Sequence, residues 1–276
     1  MDGPEGPGGP GGPEGPQGQA SEGGAAVIAA GFGVKGPRGW AFRDVDVDAG
    51  PGALVAVEGP SGSGRTCLLL ALTGRMRPAA GEARVAGFRL PKQMSAVRRV
   101  SALAHVPGVT DLDPALTVTE HLRERALLQR RFDGSWRGLL RSRDERVAEA
   151  KQRIEAALTG AGLDPDTLPK AGRTAVRDLE RVEALRLSLA LALIGRPRLI
   201  GVDDTDLKLS DTEQADVWRQ LKAVADAGTT VVAVCSKAPA GAVVVSTAPA
   251  PTKATAPDRD DTDKETADAL AEAGRA

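Results

Sequence analysis

Ala53-Leu54-Val55-Ala56-Val57-Glu58-Gly59-Pro60-Ser61-Gly62-Ser63-Gly64-Arg65-Thr66 is the stretch that decides the reading of this 276-residue chain. Ala53 to Glu58 is a short apolar run with the length of a buried strand. Thr66 to Thr73 is apolar again and follows the loop as a helix does. Between them, Gly59 to Thr66 fits the phosphate-loop spacing G-x-x-x-x-G-K-[ST] at every position but one. The glycines let backbone N–H groups turn inward around a polyphosphate, and the helix that follows adds its positive N-terminal end. Thr66 offers a hydroxyl to Mg²⁺. Arg65 stands where the motif has lysine. It keeps the charge but is a planar fork, not a compact ammonium, so the exchange is not neutral. The plainer reading is a glycine-rich turn that only caps a helix. The preceding strand, the serines and Thr66 argue against it.

Working outward, Leu199-Ile200-Gly201-Val202-Asp203-Asp204 ends an apolar strand in two carboxylates. Downstream of a phosphate loop, the first such carboxylate holds Mg²⁺ and the next acidic residue can orient water. Strands often end in Asp, so a strand-end cap is the alternative for Asp203. Other segments complete an alternation of strands and helices. Trp40 to Asp48, Val100 to Val106 and Thr230 to Val234 read as strands. Thr119 to Ile194 is helical and charged, with helices over Asp144 to Ala161 and Leu179 to Ile194. Asp211 to Asp226 is a further helix. This pattern predicts an α/β fold with a mainly parallel sheet flanked by helices. The helical block in the middle predicts an inserted lobe at about 119–180.

Composition excludes several other classes. Lys plus Arg number 36 and Asp plus Glu 37, a formal charge of −1, so no nucleic-acid partner is expected. No apolar run reaches the ~18 residues of a spanning helix; Thr229 to Thr247 comes nearest, broken by Lys237 and Pro239. The N-terminus carries no basic, apolar leader. Cys67 and Cys235 are too few and too far apart for a disulfide framework or a metal cluster. These features point to a cytoplasmic protein.

The chain has 33 Gly and 19 Pro, of which residues 1–24 hold 10 and 5 in Gly-Pro triplets from Gly3 to Ala20. Six triplets are few for a triple helix, so this end reads as a flexible polar tail. The other 252 residues then have ordinary usage, compatible with a globular body at 25–247. Residues 248–276 read as disordered or weakly helical.

Taken together, the sequence resembles the nucleotide-binding subunit of ABC transporters. The resemblance rests on R-D-V-D-V-D-A-G-P-G-A-L-V-A-V-E-G-P-S-G-S-G-R-T at 43–66, D-P-A-L-T-V-T-E-H-L at 113–122 and A-L-A-L-I-G-R-P-R-L-I-G-V-D-D at 190–204. It implies the P-loop NTPase cassette fold, with an antiparallel β part beside the parallel sheet and the helical lobe. It implies MgATP held by Gly59, Pro60, Ser61, Gly62, Ser63, Gly64, Arg65 and Thr66, with Thr66 and Asp203 on the metal and Asp204 on the attacking water. It also implies a head-to-tail dimer, homodimeric or with another ABC ATPase, at the inner face of the cell membrane, coupled to a permease.

Several positions depart from the family. The L-S-G-G-Q signature falls at Leu179-Glu180-Arg181-Val182-Glu183, without its serine or glycines. The Q-loop glutamine falls at Gly108, the switch histidine at Ser236, and the catalytic glutamate at the shorter Asp204. The adenine-stacking aromatic falls near Gly36, with Trp40 or Phe32 as the nearby substitutes. Slow or partner-dependent hydrolysis follows, and a non-hydrolysing regulatory subunit is the alternative.

Lesser features have plainer readings. His105 reads as packing or surface and His121 as a solvated residue at a helix start. Cys67 lies where a helix N-terminus lowers a thiol pKa, yet a small buried side chain is the simpler reading. Leu122 to Arg146 holds 8 Arg against 4 acidic residues, with Phe132 and Trp136 among them. A solvated helical face explains it, and contact with a membrane partner is the functional alternative.

Overall fold

The computed structural model describes residues 23–132 and 142–248, with side chains as far as 129 in the first segment. The readings of the two tails lie outside the described residues but for their inner ends, as do those of Phe132 and Trp136. Strands β1 (Val27–Gly36), β2 (Gly39–Ala49), β4 (Ala80–Val85) and β5 (Phe88–Leu90) form an antiparallel sheet in the order β2-β1-β4-β5. Strands β3 (Leu54–Glu58), β6 (Ser101–Leu103), β7 (Leu199–Val202), β8 (Thr230–Val234) and β9 (Val243–Ser246) form a parallel sheet in the order β6-β7-β8-β3-β9. Between β6 and β7 the described residues form α3 (Val118–Phe132), α4 (Arg143–Ala161), three short 3₁₀ turns and α5 (Arg181–Leu193). The fold is the α/β cassette expected from the sequence.

The parallel strands read as unbroken apolar runs because both faces are covered. Val55, Val57, Leu199 and Val232 pack with Leu68, Leu69 and Leu72 of α1 (Arg65–Leu72) on one face. Ile200, Val202, Val231 and Ala233 pack with Leu187 and Leu189 of α5 and Val217 and Leu221 of α6 (Asp211–Asp226) on the other. The period of two along each strand sorts these residues to opposite faces. Among the described residues, no helix is long and apolar enough to cross a membrane.

Four strands and one helix carry little sequence signal. β1 has three glycines in ten residues, and β4 and β5 are short and charged. The Thr229 to Thr247 run divides into β8 and β9, which lie parallel on the two sides of β3. Helix α2 (Met94–Val100) occupies a stretch with no periodic pattern. The Val100 to Val106 strand is shorter than expected and ends at Leu103, because the Ala104 carbonyl turns to the Thr110 hydroxyl. The Leu179 helix begins two residues late, at Arg181, where Glu180 occupies the N-cap.

Candidate functional site

Strand β3 delivers the glycine loop to the C-terminal end of the parallel sheet, and α1 leaves it at Arg65. Gly64 occupies the N-cap at φ 85 with a backbone that only glycine adopts at no cost. A Cβ there would lie 2.3 Å from the Ala41 carbonyl oxygen, so β2 packs directly beneath the loop. At Gly59 a Cβ would strike both Ser63 Oγ and Thr247 Oγ1 at 2.6 Å. Those two hydroxyls are themselves 2.6 Å apart, and the Thr247 amide donates to the Glu58 carbonyl at 3.0 Å. Thr247 thus ties the loop to the end of β9, a role that nothing in the linear sequence suggested. Pro60, Ser61 and Gly62 form an exposed rim.

The two distant motifs meet at one point. Thr66 Oγ1 donates to Asp203 Oδ2 at 2.7 Å across 137 residues of sequence. Asp203 is 3% exposed, and its other oxygen accepts from the Asp204 amide at 2.9 Å. Burial pushes the Asp203 carboxyl above its ordinary pKa; the hydrogen bonds from Thr66 and Asp204 oppose this, the Asp204 charge adds to it, and Arg65 opposes it. Asp204 sits beside it at φ 48, a left-handed conformation that Asp tolerates better than most residues. Hard oxygen donors in this pairing suit Mg²⁺ held jointly with a substrate phosphate and water. Arg65 points to the end of β8, where its Nη1 donates to the Cys235 carbonyl at 2.6 Å. The charge lies beside the loop, but the guanidinium is engaged with the sheet.

The remaining positions separate into close and absent partners. The Gly108 amide donates to both oxygens of Asp111 at 3.0 Å, closing a small turn without a side chain at that position. The Ser236 amide donates to the Asp206 carboxylate. At the start of α5 the Glu180 amide donates to Glu183 Oε2 at 2.8 Å, so a carboxylate of the chain itself occupies that helix end. Phe32 is fully buried against Phe42, with ring centroids 6.1 Å apart, and offers no platform for a base. Trp40 is 45% exposed, with Lys35 Nζ 6.0 Å from its ring. His121 is buried, not solvated, because its Nε2 lies 3.2 Å from the Asp113 carbonyl. Burial and then Asp203 raise the Cys67 thiol, so the helix N-terminus does not make it a thiolate. Cys235 is pushed up to about 12, chiefly by burial.

The geometry agrees with what the chain resembles by comparison. The family model described as ABC transporter matches residues 42–206. The Nod factor export ATP-binding protein I of Cupriavidus metallidurans is 30% identical over 189 residues, 68% of this chain and 55% of that protein. The cytochrome c biogenesis ATP-binding export protein CcmA of Bordetella parapertussis is 31% identical over 192 residues, 69% of this chain and 74% of that protein. The chain spans about half the length of the first curated relatives it matches. Among solved structures, the dimeric ATP-binding cassette MJ0796 bound to ADP and Pi superposes with a TM-score of 0.57 at 22% identity, over 76% of this chain and 88% of that one. CbiO1 from Clostridium perfringens, part of the cbiONQ transporter complex, gives 0.60 at 14%, over 78% and 79%. With the family model covering well over half of the chain and the glycine loop meeting Asp203 in the matching fold, the chain belongs to the ABC transporter family as an ATP-binding cassette.

Proposed function

We propose that the chain is the ATP-binding subunit of an ABC-type transporter, holding MgATP and coupling to a membrane permease. The observation that carries this is the 2.7 Å contact between Thr66 and Asp203 at the open glycine loop. In this reading Gly59 to Gly64 wrap the phosphates with backbone N–H groups, Arg65 leaves Cys235 to meet the β- and γ-phosphates, and Thr66 and Asp203 hold Mg²⁺. Bound Mg²⁺ would neutralise phosphate charge and orient the γ-phosphoryl group. Asp204 holds the attacking water. Residues 25–247 form the cassette, with the helical lobe at about 119–180. The subunit works at the inner face of the cell membrane, as a homodimer or beside another ABC ATPase.

Hydrolysis is slow in this reading, because Asp204 has a short reach and neither Gly108 nor Ser236 brings a side chain suited to the γ-phosphate. The alternative is a regulatory subunit that does not hydrolyse ATP. The Glu183 carboxylate at the start of α5 favours it, since it opposes an incoming phosphate. ATP affinity with and without Mg²⁺ tests the nucleotide reading. Tight binding that depends on Mg²⁺ and falls at least tenfold in Thr66→Ala and Arg65→Ala is expected. No binding of ATP or ADP at millimolar concentration would remove the proposal. Phosphate release by the purified protein, abolished by Asp204→Asn, separates the first reading from the alternative.

A further inference from the structure

The turn after β6 contains a side chain that the proposed chemistry leaves unused. Leu103 pairs with Gly201, and the Ala104 amide continues the ladder to the Gly201 carbonyl at 2.8 Å. A regular parallel ladder would next bring the Asp203 amide to the Ala104 carbonyl. The Thr110 hydroxyl occupies that carbonyl instead, at 2.9 Å, and receives the Val106 amide at 2.9 Å. The Asp203 amide therefore reaches one residue further, to the His105 carbonyl at 2.6 Å. A one-residue slip of this kind re-aims a side chain beside a site. The packing records it, because Ala104 and Val106 enter different halves of the core although they lie two residues apart.

His105 is the residue at the slip. Its ring is half-buried and makes no hydrogen bond among the described residues. Burial and then Arg181, in the first turn of α5, hold the imidazole below its ordinary pKa, while Asp204 and Asp203 at the end of β7 and Asp111 in the following loop oppose this. The Asp204 carboxylate likewise makes no hydrogen bond among the described residues, although the backbone on either side of it is fixed. An imidazole and a carboxylate, each without a partner, thus stand beside the same metal-binding strand end.

We propose that His105 is a positioning residue for Asp204, donating a ring N–H to its carboxylate and fixing it against the attacking water. The inference rests on the MgATP reading. In the hydrolysis it serves, the water oxygen bonds the γ-phosphorus while the bond to the β,γ-bridging oxygen breaks. ADP leaves with that electron pair, and the water's proton passes to Asp204 and then to solvent. His105 exchanges no proton; it supplies one N–H and the orientation that the short Asp204 side chain lacks.

The test compares His105→Leu with His105→Gln, whose amide retains an N–H donor. ATP affinity with Mg²⁺ is measured first, then phosphate release in a single turnover with protein in excess. Both variants are expected to bind ATP within about twofold of the parent. Leucine lowers the release rate about 10- to 100-fold, the usual effect of removing a group that orients a reacting ligand, and glutamine retains at least a third of it. Parental release by the leucine variant, an equal loss in both variants, or no release by the parent would overturn the role. Should leucine impair folding, a tenfold loss in the glutamine variant alone would overturn it. Absence of ATP binding by the parent would bring down the nucleotide reading itself, a distinct result.

Discussion

Gly64→Ala is the sharpest test of how the loop is built. The native backbone there has φ 85, and placing an L side chain in left-handed space costs about 1–2 kcal/mol. The new Cβ would lie 2.3 Å from the Ala41 oxygen and 2.7 Å from its carbon, both backbone atoms of β2. Side-chain carbons keep beyond 3.0 Å of such atoms, so strand or loop must move by at least 0.7 Å. Overpacking of that kind costs about 1–3 kcal/mol. The stiffer unfolded chain returns about 0.4–1 kcal/mol. The net loss is about 2–4 kcal/mol, a Tm fall of roughly 5–15 °C for a protein of this size. Gly62→Ala is the control: φ is 81, but no atom lies within 4 Å of the added carbon. It should lose about 1 kcal/mol and no more than roughly 4 °C. Scanning calorimetry of both variants decides the matter. A Gly64→Ala protein that melts within 2 °C of the parent, or equal falls in both variants, would refute the claim that β2 holds the loop from below.

Three further outcomes follow from the same contacts. Asp203→Asn should raise the Tm near neutral pH while removing Mg²⁺-dependent ATP binding. The native carboxyl has a raised pKa, so the folded parent binds its proton more readily than the unfolded chain and gains stability as pH falls through that value; the advantage of the variant should therefore shrink in acid, and a lower Tm at pH 8 would contradict it. Thr247→Val and Ser63→Ala each remove the same hydroxyl pair, worth about 1 kcal/mol, and the double variant should lose little more than either alone, whereas full additivity would show that the two hydroxyls act separately. Arg75→Met breaks contacts from one guanidinium to the Thr73 carbonyl and to the hydroxyl and carbonyl of Ser101; a loss of about 2 kcal/mol is expected in denaturant unfolding, and an unchanged midpoint would count against it.

The parallel half of the fold was legible because its strands are buried on both faces, so Leu199 to Val202 and Thr230 to Val234 appear as unbroken apolar runs. The antiparallel half was harder to read. Gly31, Gly33 and Gly36 dilute β1, and β4 alternates across one covered face with only Ala83 and Val85 buried. The glycine loop and Asp203 were legible because their chemistry depends on residue type at fixed spacing. Thr247 and His105 were not, because their placement comes from tertiary contacts: one from a strand that closes the sheet beside β3, the other from a one-residue slip set by Thr110. Phe32 shows the opposite error, since an aromatic at the right distance in sequence faces the core once β1 pairs with β2.

On the proposed reading, two helix ends bear on the choice of dimer partner. Every helix N-terminus attracts negative charge through its free N–H groups. The start of α1 has no acidic residue in its first turn and no side-chain cap on its free N–H groups, and its glycine loop presents an exposed rim open to an anion from outside the chain. The start of α5 has Glu183 in its first turn, accepting from the Glu180 amide, so the chain supplies its own. On the proposed reading, a homodimer that sandwiches ATP sets Glu180 and Glu183 of each copy against the phosphates held by the other. Like charges brought together in that way cost several kcal/mol. A different ABC ATPase with an intact signature removes that repulsion at the site built on Gly59 to Thr66, while the second site still faces the two glutamates. The first site of the pair is then free of that repulsion and the second is not, which makes the heterodimer the assembly that the charges at these helix ends favour.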